Sequence, residues 1–480
     1  MSFVKNSAYL TIANLFLLVA AYFLNVWVGR FLGPADFGRY LAIIGVFAIM
    51  NVVLTSGTSK AIAKVIAEDK KFASPITAGL LRWGLPLLLL VSAIFYFFIA
   101  ELIANLLNDP SLLFNIRLLT PIIPIFGIGS MYAGYFIGRE QFGLQTIKLI
   151  VIAISKIVLV VILTSYFFVA GALASIPLFG LAGILFSLIF IRANPLNKVA
   201  KETKEKIGRI MGFLIPMTGF AFLMMFFTQL GVFIIKAGLG DDALTGYFGA
   251  AKSTMQIPIS IFSAVSVVLL TTVSKSYANK PIKETRTNIK EILRYILIML
   301  TPSILFITAT SVPAIRLIYG SDYVGAGTAL AILSLGIGLL IFINLLVMIL
   351  NAIGKPSFTL IIASLMMAIH FVLGNLLLSR GIEGVAISLV VANVVGLLLG
   401  LIYIYKKLGN VVDIKSFAKV LILTALLSFA LSKVNIPNSV ILLIAWFFAG
   451  IIYLAALFVL KELTMKDINY IKAIVKSKQK

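Results

Sequence analysis

"GRFLGPADFGRY", Gly29 to Tyr40, separates two apolar runs. Before it stands "TIANLFLLVAAYFLNVWV", and the uncharged stretch Tyr40–Ser59 begins where it ends. A chain crossing lipid must satisfy its own backbone N–H and C=O groups, so each run reads as a spanning helix. The three glycines and the proline between them read as a tight reversal. That reading sets the fold class: an all-α polytopic membrane protein. Composition agrees, with 61% of the 480 residues hydrophobic and 12% charged, and a mean hydropathy of +1.11. A soluble domain is usually about half apolar and a quarter charged.

A crossing needs about 20 apolar residues. Uncharged stretches of that order are Tyr40–Ser59, Leu118–Gly138, Ser253–Ser274, Tyr295–Ile315 and Gly384–Tyr405. Leu144–Phe190 is too long for one crossing and is expected to break near Gly171. Adding helices that start near Tyr9, Gly79, Ile210, Val324, Ser357, Phe417 and Ser439 gives about 14 transmembrane helices. The thirteenth, Phe417–Ser432, is the shortest. No small-x-small cleavage site follows "MSFVKNSAYL", so the first span is expected to be retained.

Charge placement orients the spans. With the N-terminus inside, 29 of the 40 Lys and Arg fall in cytoplasmic segments, chiefly Arg192–Arg209, Lys275–Arg294 and the tail from Lys461. Seven fall opposite: Arg30, Arg39, Arg117, Lys236, Arg316, Arg380 and Lys433. Short basic loops resist translocation, so both termini are expected in the cytoplasm. The same bias accounts for most of the net charge of +23 without a nucleic-acid partner. Arg192–Arg209, with its Lys/Glu alternation, reads as a surface helix linking two halves.

The opening stretch has an echo. Arg30-x-Leu32-Gly33 with Gly38-x-Tyr40 matches Lys236-x-x-Leu239-Gly240 with Gly246-Tyr247. "GREQF" (Gly138–Phe142) matches "GKPSF" (Gly354–Phe358), and "GLAGILFS" (Gly180–Ser187) matches "GIEGVAIS" (Gly381–Ser388). Three ordered pairs imply two parallel six-helix repeats plus two C-terminal helices. The expected boundaries are 1–200, 201–410 and 411–480. Parallel repeats place a substrate site near the midplane between the halves.

These motifs, together with "LGDDALTGYFGAAK", "IYGSDYVGAGTALAILSLG", "LNAIGKPSF" and "NLLLSRGIEGVAIS", resemble the polysaccharide-transport (Wzx-like) family of oligosaccharide-lipid flippases. That family lies within the multidrug/oligosaccharidyl-lipid/polysaccharide exporter superfamily. The resemblance runs over nearly the whole chain. It implies a transporter, not an enzyme, that moves polyprenyl-diphosphate-linked oligosaccharide to the outer leaflet of the cell membrane for surface polysaccharide such as O-antigen. It implies no cofactor; an ion gradient is the candidate driving force, and glycosyltransferases and a polymerase are candidate partners. Members often carry an aspartate in helix 7; here that stretch reads "GVFIIK" (Gly231–Lys236), with no acid.

The residue inventory excludes most alternatives. There is no cysteine, a single histidine (His370) and no "GxxxxGK" phosphate loop. His370 reads as a hydrogen-bonded packing residue. Basic residues nevertheless fall inside predicted helices: Arg82, Lys148, Lys156 and Lys252. Lys156 lies mid-span, where a cation costs roughly 2.5–3.5 kcal/mol on insertion scales. Lys148 lies eight residues earlier, roughly 80° around the helix. Arg82 and Lys148 are near enough to a helix end to snorkel. A diphosphate would supply the missing negative charge. The candidate substrate-binding residues are therefore Lys156, Lys252, Lys148, Arg30 and Gln256. Two rivals stand beside the flippase: a multidrug exporter, which needs buried acids for cationic cargo, and a non-transporting scaffold of a glycan-assembly complex.

Overall fold

The computed structural model describes residues 2–191, 201–279 and 281–463. Residues 192–200 of the linking segment, Lys280 and the tail from 464 lie outside them. In chain order the helices are α1 (Ser2–Thr55), α2 (Thr58–Glu68), α3 (Ala73–Ile94), α4 (Ala100–Leu106), α5 (Leu113–Leu118), α6 (Ile122–Gly138), α7 (Phe142–Phe190), α8 (Lys201–Leu239) and α9 (Asp242–Thr254). Then follow α10 (Gln256–Asn279), α11 (Ile282–Ala309), α12 (Ser311–Tyr319), α13 (Gly327–Ala352), α14 (Pro356–Leu376), α15 (Gly381–Leu408), α16 (Ile414–Lys433) and α17 (Ser439–Val459).

Eleven segments among the described residues are long and apolar enough to cross a membrane. Two of them are really two rods each. α1 turns at Gly33 (φ 75°, ψ 173°), and α7 turns at Phe168 (φ 49°, ψ −129°). Counted as separate rods these make thirteen candidate crossings among the described residues, and the consecutive helices α9 and α10 lie where the sequence places a fourteenth. The break in α7 lies at Phe168, three residues before the glycine that the sequence favours. α16 runs for 20 residues, long enough to cross.

The internal repeat is written in the backbone. Left-handed residues occur in matched order through the two halves: Gly33 with Gly240, Asn108 with Gly320, Glu140 with Gly354, and Phe168 with Gly381. At the third pair even the hydrogen bonds coincide. Glu140 N donates to Ile137 O and Gln141 N to Phe136 O; Gly354 N donates to Asn351 O and Lys355 N to Leu350 O. This corrects two of the three sequence pairings. The partner of Gly354 is Glu140, not Gly138. The partner of Gly381 is Phe168, not Gly180, which sits within the helical run of α7. Letter matching failed because the turn demands a backbone shape, and the first half meets it with Asn, Glu and Phe.

Two compact units emerge, residues 1–249 with 370–385, and 250–369 with 386–480. In the first, α6 lies against α2 through small residues: a Cβ on Gly134 or Gly138 would strike Ile62 or Ile66 at 2.7 Å. Such spacing lets membrane helices approach closely. Polar side chains inside helices are satisfied locally, as where Thr55 donates to Asn51 O and Thr77 to Ala73 O. In the second unit, the Tyr453 hydroxyl donates to Ile298 O at 2.8 Å and Trp446 Nε1 to Thr310 Oγ1 at 3.0 Å, fastening α17 to α11 and its C-terminal end. Large apolar side chains such as Phe98, Ile189 and Val459 stay exposed, as expected of a surface solvated by lipid.

Candidate functional site

Lys148 and Lys156 both lie on the first rod of α7, and the structure separates their environments. Lys148 does not snorkel. It is 3% exposed, and its Nζ donates to the Gly129 carbonyl of α6 at 2.9 Å. Lys156, two turns further along, holds its ammonium 5.7 Å from the centre of the Phe179 ring. The ring's negative face attracts a cation but leaves its net charge in place. Neither lysine forms an ion pair among the described residues.

Arg30 is exposed near the end of the first rod of α1. Lys252 is half-buried near the end of α9, and Gln256 opens α10 with an exposed side chain. Arg30 belongs to the first unit with Lys148 and Lys156; Lys252 and Gln256 belong to the second. His370 is buried and meets the Phe227 ring edge-on, with centroids 5.7 Å apart.

An ionic cluster went unread in the sequence. Lys236, counted there among the cations opposite the cytoplasm, is 2% exposed. It pairs with Asp109 at 2.6 Å and also with Asp242. Arg39 Nε joins Asp242 at 2.6 Å, and Asn108 Nδ2 donates to Ala237 O at 2.7 Å. Burial pushes the Asp109 carboxyl up, but hydrogen bonds from Lys236 and Ser111 and the Lys236 charge outweigh it and hold Asp109 below the usual carboxylate range. The two echoed turns meet here. A Cβ on Gly38 would collide with Asp242 O, and one on Gly246 with Pro34 O, so only glycine fits either position. The signal for the cluster was the acid at 109, 127 residues before Lys236 and outside every motif.

Beneath the cluster is an apolar cavity of about 550 Å³, lined from α1, the run from α3 through α4, α8 and α14 by residues such as Met50, Phe95, Leu107, Phe226, Phe233 and Asn375. A second, smaller chamber of about 160 Å³ lies beside Lys148.

A family model described as "Polysaccharide biosynthesis protein" matches residues 3–277, more than half of the chain. The chain belongs to this polysaccharide biosynthesis protein family. Among its relatives is the stage V sporulation protein B of Bacillus subtilis (strain 168), 25% identical over 451 residues, covering 87% of this chain and 86% of that one. Among solved structures, this family member resembles the lipid II flippase MurJ in an inward closed conformation, with TM-score 0.75, 18% identity, and 94% and 98% of the two chains covered. It also resembles the inward-facing conformation of a multidrug resistance MATE family transporter, with TM-score 0.66, 16% identity, and 82% and 95% covered. The polysaccharide biosynthesis family chain is thus a multi-pass membrane protein that shares the fold of these two solved structures.

Proposed function

We propose that this chain moves polyprenyl-diphosphate-linked oligosaccharide from the cytoplasmic to the outer leaflet of the cell membrane by alternating access. The observation that carries the reading is Lys156, a mid-span ammonium without a carboxylate partner among the described residues. Family membership supplies the glycan, and the diphosphate supplies the charge that Lys156 lacks. Arg30, Lys252, Lys148 and Gln256 would share the cargo head, the lobes 1–200 and 201–410 would rock about it, and an ion gradient would drive the cycle. Both termini would stay cytoplasmic, beside glycosyltransferases and a polymerase that build and extend the glycan.

A multidrug exporter of the same fold needs carboxylates for cationic cargo. Here Asp109 and Asp242 are engaged by Lys236, and the buried Glu462 by Lys419. The test is surface glycan in a flippase-deficient host, normalised to membrane protein level. Lys156→Met should abolish export, and Lys156→Arg should keep part of it because the charge stays while its donor geometry changes. Full export by a normally expressed Lys156→Met variant rejects the role. Uptake or efflux of a cationic dye in place of glycan export would favour the multidrug reading.

A further inference from the structure

The chamber beside Lys148 is built from the two helices of the α6–α7 hairpin, the end of α1 and the start of α2. Its polar lining is Thr55, Ser59, Ser130, Gln145 and Lys148, with the Gly129 carbonyl. Two groups in it are incompletely satisfied. Lys148 presents three donors and uses one, on an uncharged carbonyl. Gln145, 6% exposed, has its Oε1 buried with no hydrogen-bond partner. Ser130 spends its hydroxyl on backbone, donating toward Gly127 O at 2.7 Å and Leu54 O at 3.1 Å. An unmet buried acceptor is costly, so a ligand that meets it gains the difference.

The two unmet demands are opposite in kind. The ammonium calls for an anionic acceptor. The amide oxygen, one helical turn earlier at the third residue before Lys148, calls for a donor. Chloride or a bare carboxylate answers only the first. A phosphoryl group carrying a neighbouring hydroxyl answers both. The volume selects the same size class: drug-sized ligands occupy roughly 300–1,000 Å³, and about 160 Å³ admits a phosphoryl group with adjoining sugar atoms but not a saccharide chain. Space is open at Gly129, where a Cβ would meet nothing within 4 Å.

We infer that this chamber is a sugar-phosphate subsite, with Lys148 reading the phosphoryl oxygen and Gln145 reading a hydroxyl of the attached sugar. The assignment to cargo rests on the flippase reading: the ligand would be the sugar-phosphate junction of the lipid-linked glycan. It differs from the Lys156 position in recognising the sugar as well as the charge.

Full-length protein in nanodiscs is tested for equilibrium binding of radiolabelled glucose 1-phosphate and of inorganic phosphate. Wild type should bind glucose 1-phosphate at least tenfold tighter than phosphate. Lys148→Met should weaken both by tenfold or more while melting at or above the wild-type temperature. Gln145→Met should bring glucose 1-phosphate down to the level of phosphate and leave phosphate unchanged. Gly129→Leu, which fills the chamber and keeps the charge, should exclude glucose 1-phosphate. Wild-type binding by Lys148→Met, or equal loss of both ligands in Gln145→Met, overturns the inference. Undecaprenyl-diphosphate-linked glucose in the same nanodiscs should displace glucose 1-phosphate; failure to displace it overturns the cargo assignment and leaves a site for free sugar phosphate. Absence of glycan export by wild type, with the binding pattern intact, would instead remove the flippase reading alone.

Discussion

Lys236 and Lys148 are equally hidden from solvent, yet their surroundings are opposite. Lys236 is gripped by Asp109 and Asp242; Lys148 has one neutral carbonyl. Burial of a charge is tolerable when its partners return the solvation it loses. By that criterion Lys236 is a fastener, complete in itself. Lys148, with Lys156 beside it on the same rod, is unfinished, and an unfinished buried cation is where an anionic ligand has something to contribute. Burial alone therefore does not distinguish the two lysines; the partner set does.

The contrast can be broken most sharply at Lys236. Replacing both Asp109 and Asp242 by Ala strands the ammonium, and stability measured by thermal unfolding in detergent should fall by about 3–5 kcal/mol. Lys148→Met should change the same quantity by less than about 1 kcal/mol, or raise it, since no partner charge is left behind. Equal destabilisation by both changes would erase the distinction.

A carboxylate brought to Lys148 should turn it into a second Lys236. Ser130→Asp places an acid in the chamber lining; unfolding should move by about 1 kcal/mol or less while glycan export falls with Lys148 neutralised. Retained export would mean that the free charge of Lys148 is not used.

The smallest expected effect is one of pH. Asp109 sits below its ordinary carboxylate value because Lys236 and Ser111 hold it ionised against burial. Its contribution is therefore complete above the unfolded value of about 3.9 and fades as pH falls through the lower folded value. Acid unfolding should show that loss below about pH 4 in wild type, and Asp109→Asn should flatten it. An unchanged acid limb in Asp109→Asn would assign the slope to other carboxylates.

Much of this molecule can be read from its letters. Uncharged runs of about 20 residues force helices because lipid offers the backbone no other partner, and one glycine-rich reversal with its echo at Lys236–Tyr247 exposes the repeat. Lys148 and Lys156 announce themselves because a cation inside an apolar run is rare. The tertiary structure decided the rest. Letters align residues, whereas a turn selects a backbone angle, so Phe168 could stand where the second half has Gly381 and mislead the sequence pairing. Partners are set by distance in space. Asp109 lies 127 residues from Lys236, and the Gly129 carbonyl has no letter of its own. A local pattern in one sequence carries no term for either contact. Only the packing of α6 against α7, and of the α4 end against α8, determined which buried lysine meets carboxylates and which meets a neutral carbonyl.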